Sequence, residues 1–266
     1  TDDGNCFTTN AELILQAQDL LGIPAELLSD ALTHEIKHGS LILEDNRVYL
    51  RALFEAEKTV ADRITSILNH PSSFEPIKVD KAIPWAEERM GLHFAKMQSD
   101  AIEMSLSSKA SIITGGPGVG KTTIIRALVD VYLKRGLKIS LAAPTGRAAK
   151  RMEEATRQPA MTIHRLLKFN PHQGGFEHNA DNPLDIDVAI LDEVSMMDLP
   201  LTATFLSALR TETSLILVGD TDQLPSVGPG NVLRDLIQSE QIPCKRLDHI
   251  FRQANAGLIV QNAHRV

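Results

Sequence analysis

Gly115-Gly116-Pro117-Gly118-Val119-Gly120-Lys121-Thr122 fits the phosphate-loop pattern G-x-x-x-x-G-K-S/T at every fixed position. An apolar run, Ser111-Ile112-Ile113-Thr114, leads in, and a helical pattern from Thr123 to Lys134 leads out. That strand–loop–helix context separates the pattern from an ordinary glycine-rich turn. Glycines let backbone N–H groups approach phosphate oxygens with no Cβ in the way, and the following helix adds the positive end of its dipole. Gly116, Pro117, Gly118, Val119, Gly120, Lys121, Thr122 and Thr123 are therefore the expected nucleotide contacts. Lys121 is placed to reach the β/γ-phosphates, and Thr122 to offer its hydroxyl to Mg²⁺. The expected ligands are a nucleoside triphosphate, ATP, and Mg²⁺.

Working outward, apolar runs at Ser111–Thr114, Ile139–Ala142, Val188–Leu191 and Leu215–Val218 alternate with helical stretches. This predicts an α/β fold, a parallel doubly wound sheet. In such a sheet, chemistry gathers past the carboxyl ends of the strands. The phosphate loop follows the first run, Pro144-Thr145-Gly146-Arg147 the second, Asp192-Glu193 the third, and Gly219-Asp220 with Gln223 the fourth. Asp192 suits the Mg²⁺ shell, and Glu193 suits the orientation and deprotonation of an attacking water. An Asp-Glu pair at a strand end is a weak signal alone; beside a phosphate loop it points to hydrolysis. Gln223 is placed to sense the γ-phosphate or that water. Arg252, in Phe251-Arg252-Gln253, is a candidate to neutralise transition-state charge.

Before residue 71 the chain reads differently. Thr9 or Asn10 caps an apolar-periodic stretch, Ala11–Leu21; Pro24 opens a second through Leu32, and Thr33–His38 forms a third short segment. Ser40–Leu43, the turn Glu44-Asp45-Asn46 and Arg47–Leu50 read as a β-hairpin. A further helix spans Phe54–Leu68 and leads to a Pro71-Ser72-Ser73 linker. The expected organisation is a helical, winged-helix-like module over 1–70, a linker over 71–84 and the ATPase domain over 85–266. The module's helices are not notably basic, so a packing role stands beside a DNA-binding one.

The whole chain has 266 residues, a net charge of -7 and two cysteines, Cys6 and Cys244, far apart and without metal or redox spacing. The acidic balance excludes generic nucleic-acid coating; any strand must lie in a local groove. Cysteine usage points to a reducing cytosol. No apolar run of about 18 residues exists to span a membrane, and no charged-then-apolar leader opens the chain.

The blocks Gly115–Thr123, Ala143–Met152 with Thr162–Leu167, Val188–Asp198, Leu217–Leu236 and Leu247–Gln253 resemble, in this order, the superfamily 1 DNA helicases of the RecD/TraA type. The resemblance covers about Trp85 to the end, and residues 1–70 are similar to that family's N-terminal part. It implies a RecA-like ATPase driving 5′→3′ translocation on single-stranded DNA with a 5′ tail, and duplex unwinding in recombination and repair. The enzyme would act alone or with the subunits of a nuclease–helicase complex. It implies that Gln98 reads adenine and that Pro144, Thr145, Arg147 and His164 line the DNA groove. The segment Lys168–Asp187, with Gly174-Gly175-Phe176, is expected to form a protruding β-hairpin wedge. A complete motor has a second RecA-like domain, so the expectation is a fragment. The alternatives are an ATP-switched DNA-binding regulator, or a kinase that ignores DNA.

Overall fold

The computed structural model describes residues 4–171 and 174–248. The chain begins with β1 (Phe7–Thr9), α1 (Asn10–Leu21) and α2 (Ala25–His38). Thr9 caps α1 by a reciprocal box, its side chain accepting from Glu12 N–H and Glu12 accepting from Thr9 N–H. The stretches expected on either side of Thr33 are one helix, because nothing between Pro24 and Gly39 breaks it. The wing follows as β2 (Leu41–Glu44) and β3 (Arg47–Leu50). Asp45 and Asn46 have φ of 46° and 66°, the left-handed pair that a two-residue hairpin requires. β1 adds to the far side of β3, giving a three-stranded antiparallel sheet in the order β1-β3-β2.

Helix α3 (Arg51–Asn69) carries this module onto the rest of the molecule. The following residues, 70–78, are not a free linker. Ser73 donates its N–H to Glu212 O and its hydroxyl to Asp187, while Lys109 Nζ donates to Pro71 O. Helix α4 (Val79–Met90) begins inside the expected linker stretch, and Phe74 and Ile77 pack against the main core. Apolar side chains punctuate the Pro/Ser-rich segment, and burying them fixes it.

Then come α5 (Lys96–Ser107), β4 (Ala110–Gly115), α6 (Lys121–Lys134), β5 (Ile139–Ala143), α7 (Gly146–Thr156), β6 (Ala160–Thr162) and α8 (Ile163–Leu166). A small antiparallel pair, β7 (Phe169–Asn170) and β8 (Gly175–Phe176), stands where the hairpin is expected. β9 (Val188–Leu191), a 3₁₀ turn (Val194–Met196), α9 (Leu199–Ser207), β10 (Ser214–Gly219), α10 (Val232–Gln238) and β11 (Cys244–Leu247) complete the described chain.

Six parallel strands form the central sheet in the order β11-β4-β10-β9-β5-β6. β4, β9 and β10 are buried at every position, as strands covered on both faces must be. Their side chains alternate between two apolar layers. Ile112, Leu191, Leu215 and Leu217 join Ile64 and Ile67 of α3, with Phe205 and Leu206 of α9, on one face. Ile113, Ile190, Ile216 and Val218 meet α4, α5 and α6 on the other. The wing's supporting helix thus shares the core of the sheet. Among the described residues, no helix is long and apolar enough to cross a membrane.

Candidate nucleotide site

The site grows from the carboxyl edge of three adjacent strands, β4, β10 and β9. Past β4 the backbone reaches φ of 156° at Gly115, 84° at Gly118 and 92° at Gly120, where α6 starts. A side chain in these regions is strained, so the loop needs its glycines to curl around the helix N-terminus. Val119 points the other way: its side chain is buried in the core, leaving only its backbone to the loop. Lys121 Nζ donates to Gly115 O and, at 2.9 Å, to Gly116 O. Burial holds its ammonium below the ordinary lysine pKa, opposed by the carboxylates of Asp220, Asp192 and Glu193. Thr122 is exposed at the first turn of α6, with Thr123 beside it partly covered.

β9 delivers the acidic pair. Asp192 N–H donates to Ala142 O across the sheet, and its carboxylate accepts Glu193 N–H at 2.9 Å. Burial pushes the Asp192 carboxyl above its usual range, partly offset by that hydrogen bond. Glu193 takes a left-handed φ of 56° and opens the 3₁₀ turn. Its carboxylate accepts from Arg151 of α7 and from Thr145 Oγ1 at 3.4 Å. From β10 comes Asp220, buried, whose carboxylate accepts Asp222 N–H at 3.0 Å. Two buried hydroxyls, Thr114 Oγ1 at the end of β4 and Ser195 Oγ behind Glu193, have no hydrogen-bond partner.

One cation surrounded by three carboxylates, beside a glycine loop at a helix N-terminus, is an arrangement for polyphosphate and a hard metal ion. The chain is 39% identical over 220 residues to the ATP-dependent RecD2 DNA helicase of Deinococcus radiodurans, covering 83% of this chain and 30% of that one. It is 36% identical over 210 residues to the RecBCD enzyme subunit RecD of Haemophilus influenzae, covering 70% and 32%. A family model described as an AAA domain matches residues 98–229. The chain belongs to the RecD helicase family.

This RecD-family chain spans about a third of the length of those two relatives. Among solved structures, the Pif1 helicase from Candida albicans aligns at a TM-score of 0.46 and 24% identity, over 61% of this chain and 41% of that one.

The remaining expected residues of the RecD-family chain are spread more widely. Gln98 is buried at the start of α5, where its side-chain oxygen accepts Ala95 N–H at 3.1 Å. Gln223 sits on an exposed loop, tied back by its N–H to Asp220 O. Thr145 is the N-cap of α7, accepting from Ala148 N–H, with Pro144 just before it and Arg147 exposed two residues on. Thr162 caps α8 by accepting Arg165 N–H. His164 is exposed and packs its ring against Phe169 and Phe176 of the hairpin. Arg252 lies outside the described residues. Sequence reading placed Asp220 at the sheet edge without giving it a role, and missed Arg151 as a site member. Asp220 carried a signal, a carboxylate ending an apolar strand; Arg151 carried none, being one cation among several on α7.

Gly115 sets a geometric test of the loop. A Cβ there would lie 2.4 Å from Leu247 O of β11 and 3.0 Å from Val119, whereas at Gly116 it would meet nothing within 4 Å. Gly115→Ala is expected to cost on the order of 1–3 kcal/mol through backbone strain, and Gly116→Ala to leave stability nearly unchanged. Denaturant titration of both variants checks the contrast.

Proposed function

We propose that this chain is the ATP-hydrolysing motor domain of a 5′→3′ DNA helicase working in recombination and repair. The observation that carries the reading is Lys121 held at the sheet edge amid Asp192, Glu193 and Asp220. In this reading the N–H groups of Gly116 and of residues 118–123, with the Lys121 ammonium, bind the β/γ-phosphates of ATP, Pro117 shapes the loop without donating, and Gln98 contacts the adenine edge. Thr122 and Asp192 are hard oxygen donors of the kind Mg²⁺ takes, and bound there the ion would draw negative charge off the phosphates. Glu193 accepts a proton from water as the water oxygen bonds to the γ-phosphorus and the bond to the bridging oxygen breaks, releasing ADP and phosphate. Gln223 orients that water, and Arg252 steadies the developing charge.

The DNA strand crosses the edge at Pro144, Thr145, Arg147 and His164. A hydroxyl, a cation and an imbedded glycine give it phosphate contacts. The ring cluster of His164, Phe169 and Phe176 offers a face on which unpaired bases stack, and the hairpin acts as the wedge. The free thiols of Cys6 and Cys244 suit a reducing cytoplasm. The wider activity, and any nuclease partner, belongs to the whole protein.

Lys121→Ala is expected to weaken binding of a non-hydrolysable ATP analogue by roughly 1.5–3 kcal/mol, the worth of a charge-assisted contact, without unfolding the domain. Calorimetric titration decides: unchanged affinity removes the loop from the site.

A further inference from the structure

Each oxygen of the Glu193 carboxylate accepts one hydrogen bond, and both donors stand on one element. Oε1 accepts from the Arg151 guanidinium and Oε2 from Thr145 Oγ1. Thr145 is the N-cap of α7, and Arg151 lies on the same helix. The left-handed φ of 56° at Glu193 turns the chain out of the sheet at this point. The two partners differ in setting, since Glu193 keeps only 18% of its side chain exposed while Arg151 keeps 61%. The carboxylate is therefore sheltered, and its cation reaches in from solvent.

This has a chemical consequence. A carboxylate that accepts a water's proton needs a free lone pair aimed at that water, and a guanidinium on one oxygen fixes where the remaining lone pairs point and lowers their basicity. Thr145 also belongs to the groove assigned above to DNA. Arg151 follows it by six residues, about 9 Å along the same helix at 1.5 Å per residue. A helix this short moves as a unit. A strand phosphate that pulls on Thr145 and Arg147 at its first turn shifts Arg151 with them.

We propose that Arg151 is a positioning residue that, with Thr145, holds Glu193 away from the attacking water until single-stranded DNA engages the start of α7. The latch rests on the reading of Glu193 as the proton acceptor and adds to it the route by which DNA raises ATP turnover. Its ingredients are two distinct sites and one shared element, which is what coupling between ligands requires. The pair is worth what an ion pair with one exposed partner usually is, so release is within reach of a single phosphate contact.

The test uses the full-length protein and an unstructured oligonucleotide, measuring ATP turnover with and without DNA. Arg151→Ala should raise the DNA-free kcat roughly two- to fivefold, leave the ATP KM and the DNA-stimulated kcat near those of the parent, and so lower the stimulation ratio. Arg151→Lys, which keeps the charge, should restore much of the ratio. A merely structural arginine would lower both rates together or move neither. DNA-free turnover at or below the parent level in Arg151→Ala overturns the latch. Glu193→Gln measured alongside separates the two ideas. If it is inert while Arg151→Ala shows no rise, the latch alone is wrong; if it turns over normally, the proton-acceptor reading falls as well.

Discussion

Glu193→Gln in the full-length protein should abolish ATP turnover while nucleotide affinity stays near that of the parent. Glutamine keeps the side chain's length; its carbonyl oxygen still accepts from Arg151, and its NH₂ can donate to Thr145 Oγ1, so the turn at the end of β9 has little reason to move. What it loses is basicity. A positioned general base contributes on the order of 10²–10⁴-fold, and among the described residues the two neighbouring carboxylates are poorer candidates. Asp192 is occupied by Glu193 N–H and buried, and Asp220 is buried with Asp222 N–H on its oxygen. Single-turnover kinetics beside an equilibrium binding titration give the answer. Turnover within about threefold of the parent, far short of that range, would move the catalytic role away from Glu193.

The second large effect concerns the join between the N-terminal module and the sheet. Ile67→Ala is expected to destabilise the whole domain by on the order of 2–5 kcal/mol, the cost of emptying a fully buried aliphatic site. Ile67 is 0% exposed, and it shares an apolar layer with Leu191, Phe205 and Leu217 from the sheet and α9. Arg63, one turn earlier, donates to Leu206 O at 3.1 Å and to Leu209 O, pinning the two helices against each other. The void therefore cannot be closed by sliding α3. Melting should remain a single transition shifted by several degrees, at roughly 2–4 °C per kcal/mol for a domain of this size. Leu15→Ala on α1, an exposed position, should change stability by no more than about 0.5 kcal/mol. A variant that melts in two steps, with the sheet unaffected, would mean that the module is a separate folding unit.

The four central strands were legible because burial on both faces demands uninterrupted apolar runs, as in Ile112-Ile113 or Ile216-Leu217-Val218. Two strands escaped. β6 is only Ala160-Met161-Thr162, and β11 is Cys244-Lys245-Arg246-Leu247, whose charged residues are tolerated because it lies at the sheet's edge. β1 was missed for a similar reason: three residues paired to β3 leave no period to detect. The phosphate loop and the Asp192-Glu193 pair could be read directly because their chemistry is written in consecutive residues. The grip of Arg151 on Glu193 could not, since it joins residues 42 apart through the packing of α7 over β5, the neighbour of β9. Gln98 was visible as a residue but not as a buried helix-terminal acceptor, because burial depends on how α5 lies against β4 and α6.

Leu247 ends β11 in register with Gly115, and its carbonyl oxygen occupies the space that a side chain at this first loop glycine would need. The contact has no slack, so it behaves as a rigid coupling rather than a spring. A displacement of the first loop glycine therefore bears directly on the last residue of β11. The loop and the end of this edge strand are in this sense one joint. Its working tolerance is set by the width of a hydrogen atom at Gly115.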